Sequence, residues 1–373
     1  VARILLLSPY HGGSHRAFAE GLAAHSRHQI VTLSLPARFW KWRMRGAALL
    51  LAQRARRLPG PVDLVVGTDM MNLAEFRALS GLGERPHVLY LHENQLAYPL
   101  PENDRPDYHF GFINLASALA ADGVVFNSRF HRDAFFAAAP NLLRAMPDAP
   151  VRRVLPGIRR KSRVLPVGCE LTRLRDAATG AQTGSGPPLI LWNHRWEFDK
   201  APEVFFRVLA RLDDAGLRFR LALAGDSTAQ AEPKPFLEAR QRYGARVVCF
   251  GWVPDRRDYA ALLSQADILV STAIQENFGI AVVEAVACGV WPLLPRRLSY
   301  PEIMPRAWHR SCLYADESDL ESRLGKLLRG ALPDGRGRAA LAREMLRYDW
   351  SALIATYDDL FDGLLAVPGS ETH

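Results

Sequence analysis

The sequence predicts an α/β protein built from two doubly wound units in tandem. Two observations predict it. Short runs rich in Val, Ile and Leu alternate with longer stretches of helical period, the pattern of repeated strand-helix units on a parallel sheet. The runs also fall into two series, separated by the small and polar segment Asp176 to Pro188, which has no apolar periodicity and reads as an exposed linker.

In the first series the expected strands are Arg3 to Ser8, Gln29 to Leu35, Leu64 to Gly67, Val88 to His92, Gly123 to Asn127 and Val164 to Val167. In the second they are Leu189 to Asn193, Arg218 to Ala224, Val247 to Gly251, Ile268 to Ser271, Trp291 to Leu294 and Cys312 to Tyr314. Helical stretches fill most of the gaps. The expected domains are therefore residues 1–175, a linker at 176–188, and residues 189–350. The amphipathic stretch Ser351 to Leu365 returns from the second domain to the first, so that 351–373 belongs with residues 1–175.

Of 373 residues, 49% are hydrophobic and 23% charged, which excludes a disordered or low-complexity chain. No run of eighteen apolar residues exists, so a membrane span is not expected. The opening run Val1 to Tyr10 lacks a small-residue cleavage site and reads as a buried strand. Four cysteines, at 169, 249, 288 and 312, show no metal-ligand or redox spacing, so free thiols and a reducing, cytoplasmic setting are expected. The formal net charge of +8 permits a polyanionic partner: nucleic acid, an acidic lipid surface or a phosphorylated small substrate.

Parallel sheets bind ligands at the carboxyl ends of their strands, so chemistry is sought in the loops that follow them. After the first strand, Gly12 and Gly13 precede a helix that contains His15. Such a turn lets backbone N–H groups approach a phosphate, or is only a tight turn. After the fourth strand comes His92-Glu93-Asn94-Gln95, where His92 can hydrogen-bond a hydroxyl or a leaving phosphate, or serve as part of a helix cap. The segment Asp107 to Gly111 either lines an acceptor site or begins an amphipathic helix.

In the second unit, Arg195 and Lys200 flank the turn after its first strand. Two cations at a helix N-terminus suit a diphosphate; the alternative is a solvated surface pair. The most specific constellation is Glu276-Asn277-Phe278-Gly279-Ile280 leading into a helix that carries Glu284. Glu276 can accept sugar hydroxyls, the N–H groups from Phe278 to Ile280 can hold a phosphate, and Glu284 can take two hydroxyls of a ribose. An unpaired Glu284 on so apolar a helix would be costly.

Basic residues cluster in 36–57, where Arg38, Lys41, Arg43, Arg45, Arg54, Arg56 and Arg57 occur with no acid and with Trp40 and Trp42 interleaved. Cations among aromatics suit a flexible RNA loop, although a charge run also serves as a solvated face or an interfacial helix on a membrane. A second run spans Arg152 to Arg163.

The pair Glu276 and Glu284, the cations Arg195 and Lys200, the turn at Gly12 and Gly13, and the segment Phe250 to Pro254 together resemble the retaining GT-B glycosyltransferases that use nucleotide-sugar donors. Within that group, Tyr10 to His15, Leu35 to Arg43, Leu91 to Pro99 and His194 to Lys200 resemble the tRNA-queuosine α-mannosyltransferases. The resemblance implies a GT-B fold, two Rossmann-like domains facing across a cleft, with GDP-mannose as donor and the queuosine cyclopentenediol of a tRNA anticodon loop as acceptor. It implies that Arg195 and Lys200 neutralise the leaving diphosphate, that Glu284 holds the ribose, and that Glu276 with the 277–280 backbone holds sugar and phosphate. Val253 would meet the base through its main chain, Gly13 would approach the donor from the opposite domain, and His92 would contact the donor sugar or the acceptor. His15, Arg38, Trp40, Lys41, Arg43, Arg45, Glu93 and Asn94 would face the acceptor. No Asp-x-Asp motif occurs, so no obligatory metal and no cofactor beyond the donor is expected. A non-catalytic RNA-binding relative, or an enzyme with another nucleotide sugar and a lipid or saccharide acceptor, would share the fold.

Overall fold

The computed structural model describes residues 1–100, 107–146, 152–178, 186–226 and 232–366. The chain divides into two compact units, Val1–Cys169 with the segment from Trp350 onward, and Glu170–Asp349.

The first unit is a six-stranded sheet of β1 (Arg3–His11), β2 (Gln29–Pro36), β3 (Leu64–Thr68), β4 (His87–Leu91), β5 (Gly123–Phe126) and β6 (Ser162–Val164), in the order β2-β1-β3-β4-β5-β6. Every pairing is parallel. β3, β4 and β5 are buried on both faces, which is why they read as unbroken apolar runs. The order reverses at β1, so the carboxyl ends of β1 and β3 flank the topological switch point.

The second unit has β7 (Leu189–Trp192), β8 (Arg220–Ala224), β9 (Val247–Gly251), β10 (Ile268–Val270), β11 (Trp291–Pro295) and β12 (Leu313–Tyr314), also all parallel, in the order β12-β11-β10-β7-β8-β9. Its switch point lies between β7 and β10. The loops after those two strands carry Arg195, Lys200 and Glu276.

Among the described residues twelve strands are found where twelve were expected, with one displaced. β6 runs from Ser162 to Val164 rather than from Val164 to Val167, because Pro166 has no N–H for a ladder and the polar Ser162 and Arg163 pair at the sheet edge with Val124 and Val125. The division near residue 175 also shifts. A helix over Leu171–Ala178 takes in the first three residues of the expected linker and packs on the helices Arg256–Gln265 and Ile280–Ala287, so residues from Glu170 on belong to the second unit. The rest of that linker up to Ser185 lies outside the described residues.

The last helix, Trp350–Leu365, packs on the first unit. Asp358 accepts hydrogen bonds from Ser26 Oγ (2.6 Å) and Arg27 N (3.0 Å), and Tyr357 donates to the Pro166 carbonyl (2.7 Å). Trp350 is fully enclosed because two glycines leave room for its indole: a Cβ on Gly21 would lie 2.0 Å from Nε1, and one on Gly168 would lie 2.3 Å from Cδ2. Gly168→Ala is therefore expected to destabilise the chain by about 2 kcal/mol or more through overpacking. Urea unfolding checks it, and adding Trp350→Leu should recover part of the loss.

Candidate functional site

In the second unit the site grows from the turn after β7. A single 3-10 turn over Phe198–Lys200 ends at Ala201, whose backbone is left-handed (φ 47°), and Pro202 then opens the next helix. Lys200 is buried, with Nζ 2.7 Å from the Gln275 carbonyl, 3.1 Å from Asp199 Oδ2 and 3.4 Å from Glu276 Oε2. Arg195 is half exposed and lies 3.1 Å from Glu197 and 3.8 Å from Asp199. Asp199, which is fully buried, thus touches both cations. Its carbonyl also accepts from Ile274 N (2.8 Å) and Gln275 N (3.2 Å), and Thr272 Oγ1 donates to the Lys200 carbonyl (2.8 Å), so the loops after β7 and β10 are tied together. Arg195, Lys200 and Glu276 are brought together, as the sequence suggested. Their cations are held by carboxylates rather than standing as a bare pair. Asp199 and Glu197 were not singled out from sequence, where acids four and two residues from an arginine look like surface salt bridges.

The Glu276–Gly279 loop turns through Gly279 at φ +98°, a conformation that glycine tolerates. Ser299 Oγ donates to the carbonyls of Glu276 (3.2 Å) and Phe278 (3.0 Å), and Arg297 donates to those of Thr272 and Ala273. Phe278 itself is buried against Tyr348, ring centroids 5.3 Å apart, so only its main chain faces the loop. Asn277 Oδ1 accepts from Gln275 Nε2 at 3.1 Å. The Ile280–Ala287 helix begins without a side-chain cap, leaving its first N–H groups to an outside acceptor. Glu284 is largely buried and has a partner that the sequence did not reveal: Arg256 donates to Glu284 Oε1 through both Nη atoms at 3.0 Å. Asn193, at the end of β7, donates to Tyr259 Oη (3.0 Å) and the Ala281 carbonyl (2.9 Å). Val253 is half-buried in the loop after β9, just before Asp255 caps the Arg256–Gln265 helix.

In the first unit the two turn glycines separate. A Cβ on Gly12 would lie 2.4 Å from the Ala37 Cβ, so this glycine serves the packing of β1 against the end of β2. Gly13, at φ +48°, meets nothing within 4 Å and opens a helix that has no side-chain cap. The helix Gly13–His25 places His15 in a row of rings, 5.9 Å from Tyr10 and 4.3 Å from His92. The main chain of His92 is gripped on both sides, its N–H by Asp69 Oδ1 (2.9 Å) and its carbonyl by Asn127 Nδ2 (2.8 Å). Burial, then the neighbouring His15 and His131, hold the imidazole well below its usual pKa, so it is neutral. Asp69 is enclosed at the end of β3; burial, then the Glu93 charge, push its carboxyl well above the ordinary range. Asp69 was missed because a single acid after an apolar strand carries no sequence signature.

Glu93 accepts from Gln95 Nε2 at 3.0 Å, while Asn94 Oδ1 accepts from Leu96 N (3.1 Å) and Ala97 N (2.9 Å) and so shapes its own loop. Asp107 to Gly111 is a helix start, with Asp107 as the cap of Tyr108–Ala120. Trp40, expected to face the acceptor, packs one side of its ring on the first unit. It is half-buried, 5.1 Å from the Phe110 ring, in a small cluster with Met44, Met70, Ile113 and Tyr10, while Arg38, Lys41 and Arg45 are exposed and Arg43 is half-buried. The second basic run is partly engaged: Lys161 Nζ donates to the Leu119 and Ala121 carbonyls, and Arg159 lies over Phe136. All four cysteines are free thiols, and among the described residues no helix is long and apolar enough to cross a membrane.

Two parallel sheets wound in this way, with an uncapped helix start beside an Arg-Lys-Glu cluster, are the architecture of a GT-B glycosyltransferase. The fold is similar to that of sucrose-phosphate synthase from Thermosynechococcus elongatus (TM-score 0.73, 17% identity, 99% of this chain and 100% of that one). It is also similar to HepE of Anabaena, solved with UDP and glucose (TM-score 0.68, 16% identity, 97% and 100%). Residues 3–169 match the tRNA-queuosine alpha-mannosyltransferase N-terminal family and residues 180–320 match glycosyl transferases group 1. Over 314 residues the chain is 35% identical to the tRNA-queuosine alpha-mannosyltransferase of Drosophila melanogaster, covering 81% of this chain and 82% of that one. A Mycobacterium tuberculosis GDP-mannose-dependent phosphatidylinositol dimannoside mannosyltransferase is 28% identical, covering 66% and 63%. The chain belongs to the tRNA-queuosine alpha-mannosyltransferase family.

Proposed function

We propose that this chain transfers a mannosyl group from GDP-mannose to a hydroxyl of the queuosine cyclopentenediol in tRNA, with retention of anomeric configuration. The observation that supports it most directly is the Arg195, Lys200 and Glu276 cluster beside the uncapped start of the Ile280–Ala287 helix, in a chain of this family. In this reading Arg195 and Lys200 meet the diphosphate, Glu276 the sugar, and Glu284 the ribose. As the C1–O bond to phosphate breaks, the acceptor oxygen bonds to C1 from the same face, and the leaving phosphate oxygen takes the acceptor proton. Charge on the diphosphate is met by the two side chains, so no obligatory divalent ion enters, and a neutral His92 can accept a hydrogen bond from a hydroxyl. A tRNA acceptor also suits a cytoplasmic setting.

Incubation of the EDTA-treated enzyme with labelled GDP-mannose and queuosine-containing tRNA is expected to label the RNA. Label in a lipid extract but never in RNA would overturn the acceptor. Turnover that appears only when Mg²⁺ or Mn²⁺ is restored would overturn the metal-free site.

A further inference from the structure

The acid-free segment that leads into the Trp40–Ala55 helix separates its aromatics into two kinds. Trp40 turns inward onto Phe110, whereas Phe39 is 70% and Trp42 is 76% exposed. Phe39 sits at φ 55°, a left-handed backbone that is rare for a bulky residue, and its carbonyl starts the helix by accepting from Trp42 N (2.8 Å) and Arg43 N (3.1 Å). A phenylalanine so placed gains nothing from packing its ring. Phe39 is the residue just before the helix and Trp42 lies in its first turn, so both exposed rings stand at the start of this helix. Arg38 lies over the Phe39 ring at 6.0 Å and Lys41 over Trp40 at 5.6 Å; among the described residues Arg38, Lys41 and Arg43 form no ion pair with a carboxylate. The patch is also continuous with the His92 neighbourhood. Trp40 and Tyr10 pack on one cluster, Tyr10 meets His15, and His15 meets His92.

We propose that Phe39 and Trp42 are stacking platforms for unpaired bases of the acceptor RNA, with Arg38, Lys41 and Arg43 pairing its phosphates. The proposal rests on the tRNA reading above and adds which rings hold the loop. Exposed aromatics among cations that have no carboxylate partner match what a single-stranded RNA loop offers, a flat base on each phosphate step. Stacking carries no charge, and this separates the two sets of residues in one experiment.

The probe is a synthetic anticodon stem-loop RNA, followed by fluorescence anisotropy over a salt series with the full chain. Trp42→Ala and Phe39→Ala are each expected to weaken binding roughly tenfold, with the slope of log K against log salt unchanged, and Trp42→Phe to recover most of it. Lys41→Ala with Arg43→Ala should instead reduce the slope by about 1 to 2. A thermal-shift response to GDP verifies that each variant is folded. If the wild type binds the stem-loop and the Phe39→Ala, Trp42→Ala double variant binds it equally well, the stacking proposal is wrong while the tRNA reading survives. If the double variant keeps RNA binding but loses co-sedimentation with phosphatidylserine vesicles, the patch is a lipid surface and the proposal is overturned. A wild type that neither binds the stem-loop nor mannosylates tRNA removes the underlying reading instead.

Discussion

Lys200→Met is expected to lower mannosyl transfer by roughly a thousandfold or more, the scale on which a preorganised cation stabilises a phosphate that gains charge in the transition state. The loss should fall on kcat at saturating donor, because the charge develops as the C1–O bond breaks. The same substitution also removes the nearest cation from a carboxylate that has no access to water: Asp199 is fully buried, 3.1 Å from Lys200 Nζ, and its other cation, Arg195, is 3.8 Å away. Breaking such a pair typically costs about 3–5 kcal/mol. A dead enzyme alone would therefore not separate catalysis from collapse. The double variant Lys200→Met, Asp199→Asn does: it removes the stranded charge, so the melting temperature should return most of the way to wild type while turnover stays down. Arg195→Ala, at a half-exposed position, should lose about a hundredfold in kcat with little change in stability. If the double variant turns over within tenfold of wild type, Lys200 has no part in the chemistry and its role is to neutralise Asp199.

The Lys200–Asp199 pair shows where sequence reasoning reaches and where it stops. Most of the strands among the described residues were legible because a strand buried on both faces must be a run of apolar residues, and only β6 slipped, at a sheet edge where Ser162 and Arg163 carry the pairing. That Arg195, Lys200 and Glu276 come close together was legible because all three lie in the loops after two buried strands, where open parallel sheets gather polar groups. Partners distant in sequence were not legible. Arg256 lies on a different helix from Glu284, and nothing near position 256 marks it as the donor to that carboxylate. The cost argued for an unpaired Glu284 was sound, but it demands a partner without saying whether that partner is a ribose or a guanidinium. Gly12 and Gly13 look equivalent in sequence, yet one is required by Ala37 and the other stands open. Trp40 and Trp42 differ by a rotation of two residues around a helix, which decides between the interior and solvent. Asp69, set among His92, Glu93 and Asn127, needs three strand ends at once before it becomes visible.

The buried histidines yield the last expectation, a steep loss of stability in mild acid. Burial lowers the pKa of His87 to about 4 and those of His131 and His194 to about 3, and it holds His92 well below the ordinary value of 6.5. Each of these groups stays neutral in the fold and takes up a proton when the chain unfolds. The unfolded state therefore binds more protons below the unfolded pKa, and stability falls as pH drops from there toward the folded values. His87, His131 and His194 each contribute about 2 kcal/mol of lost stability between pH 7 and pH 5, so together they remove about 6 kcal/mol, comparable to the whole stability of many domains. Asp69 acts in the opposite sense: its raised pKa lets the folded chain bind a proton before the unfolded chain does. His87, His131 and His194 alone give an uptake of about two to three protons on unfolding near pH 5.5, or roughly 3–4 kcal/mol per pH unit. Urea titrations followed by circular dichroism from about pH 7.5 to pH 5 measure that slope directly. His131→Gln should lower it by about one proton, since Nδ1 of this fully buried ring is 2.8 Å from Asn127 Oδ1, a contact that the glutamine amide can replace without titrating. A stability that stays flat down to pH 5 would mean that these imidazoles are protonated in the fold, and the neutral His92 assigned to the acceptor side would fall with them.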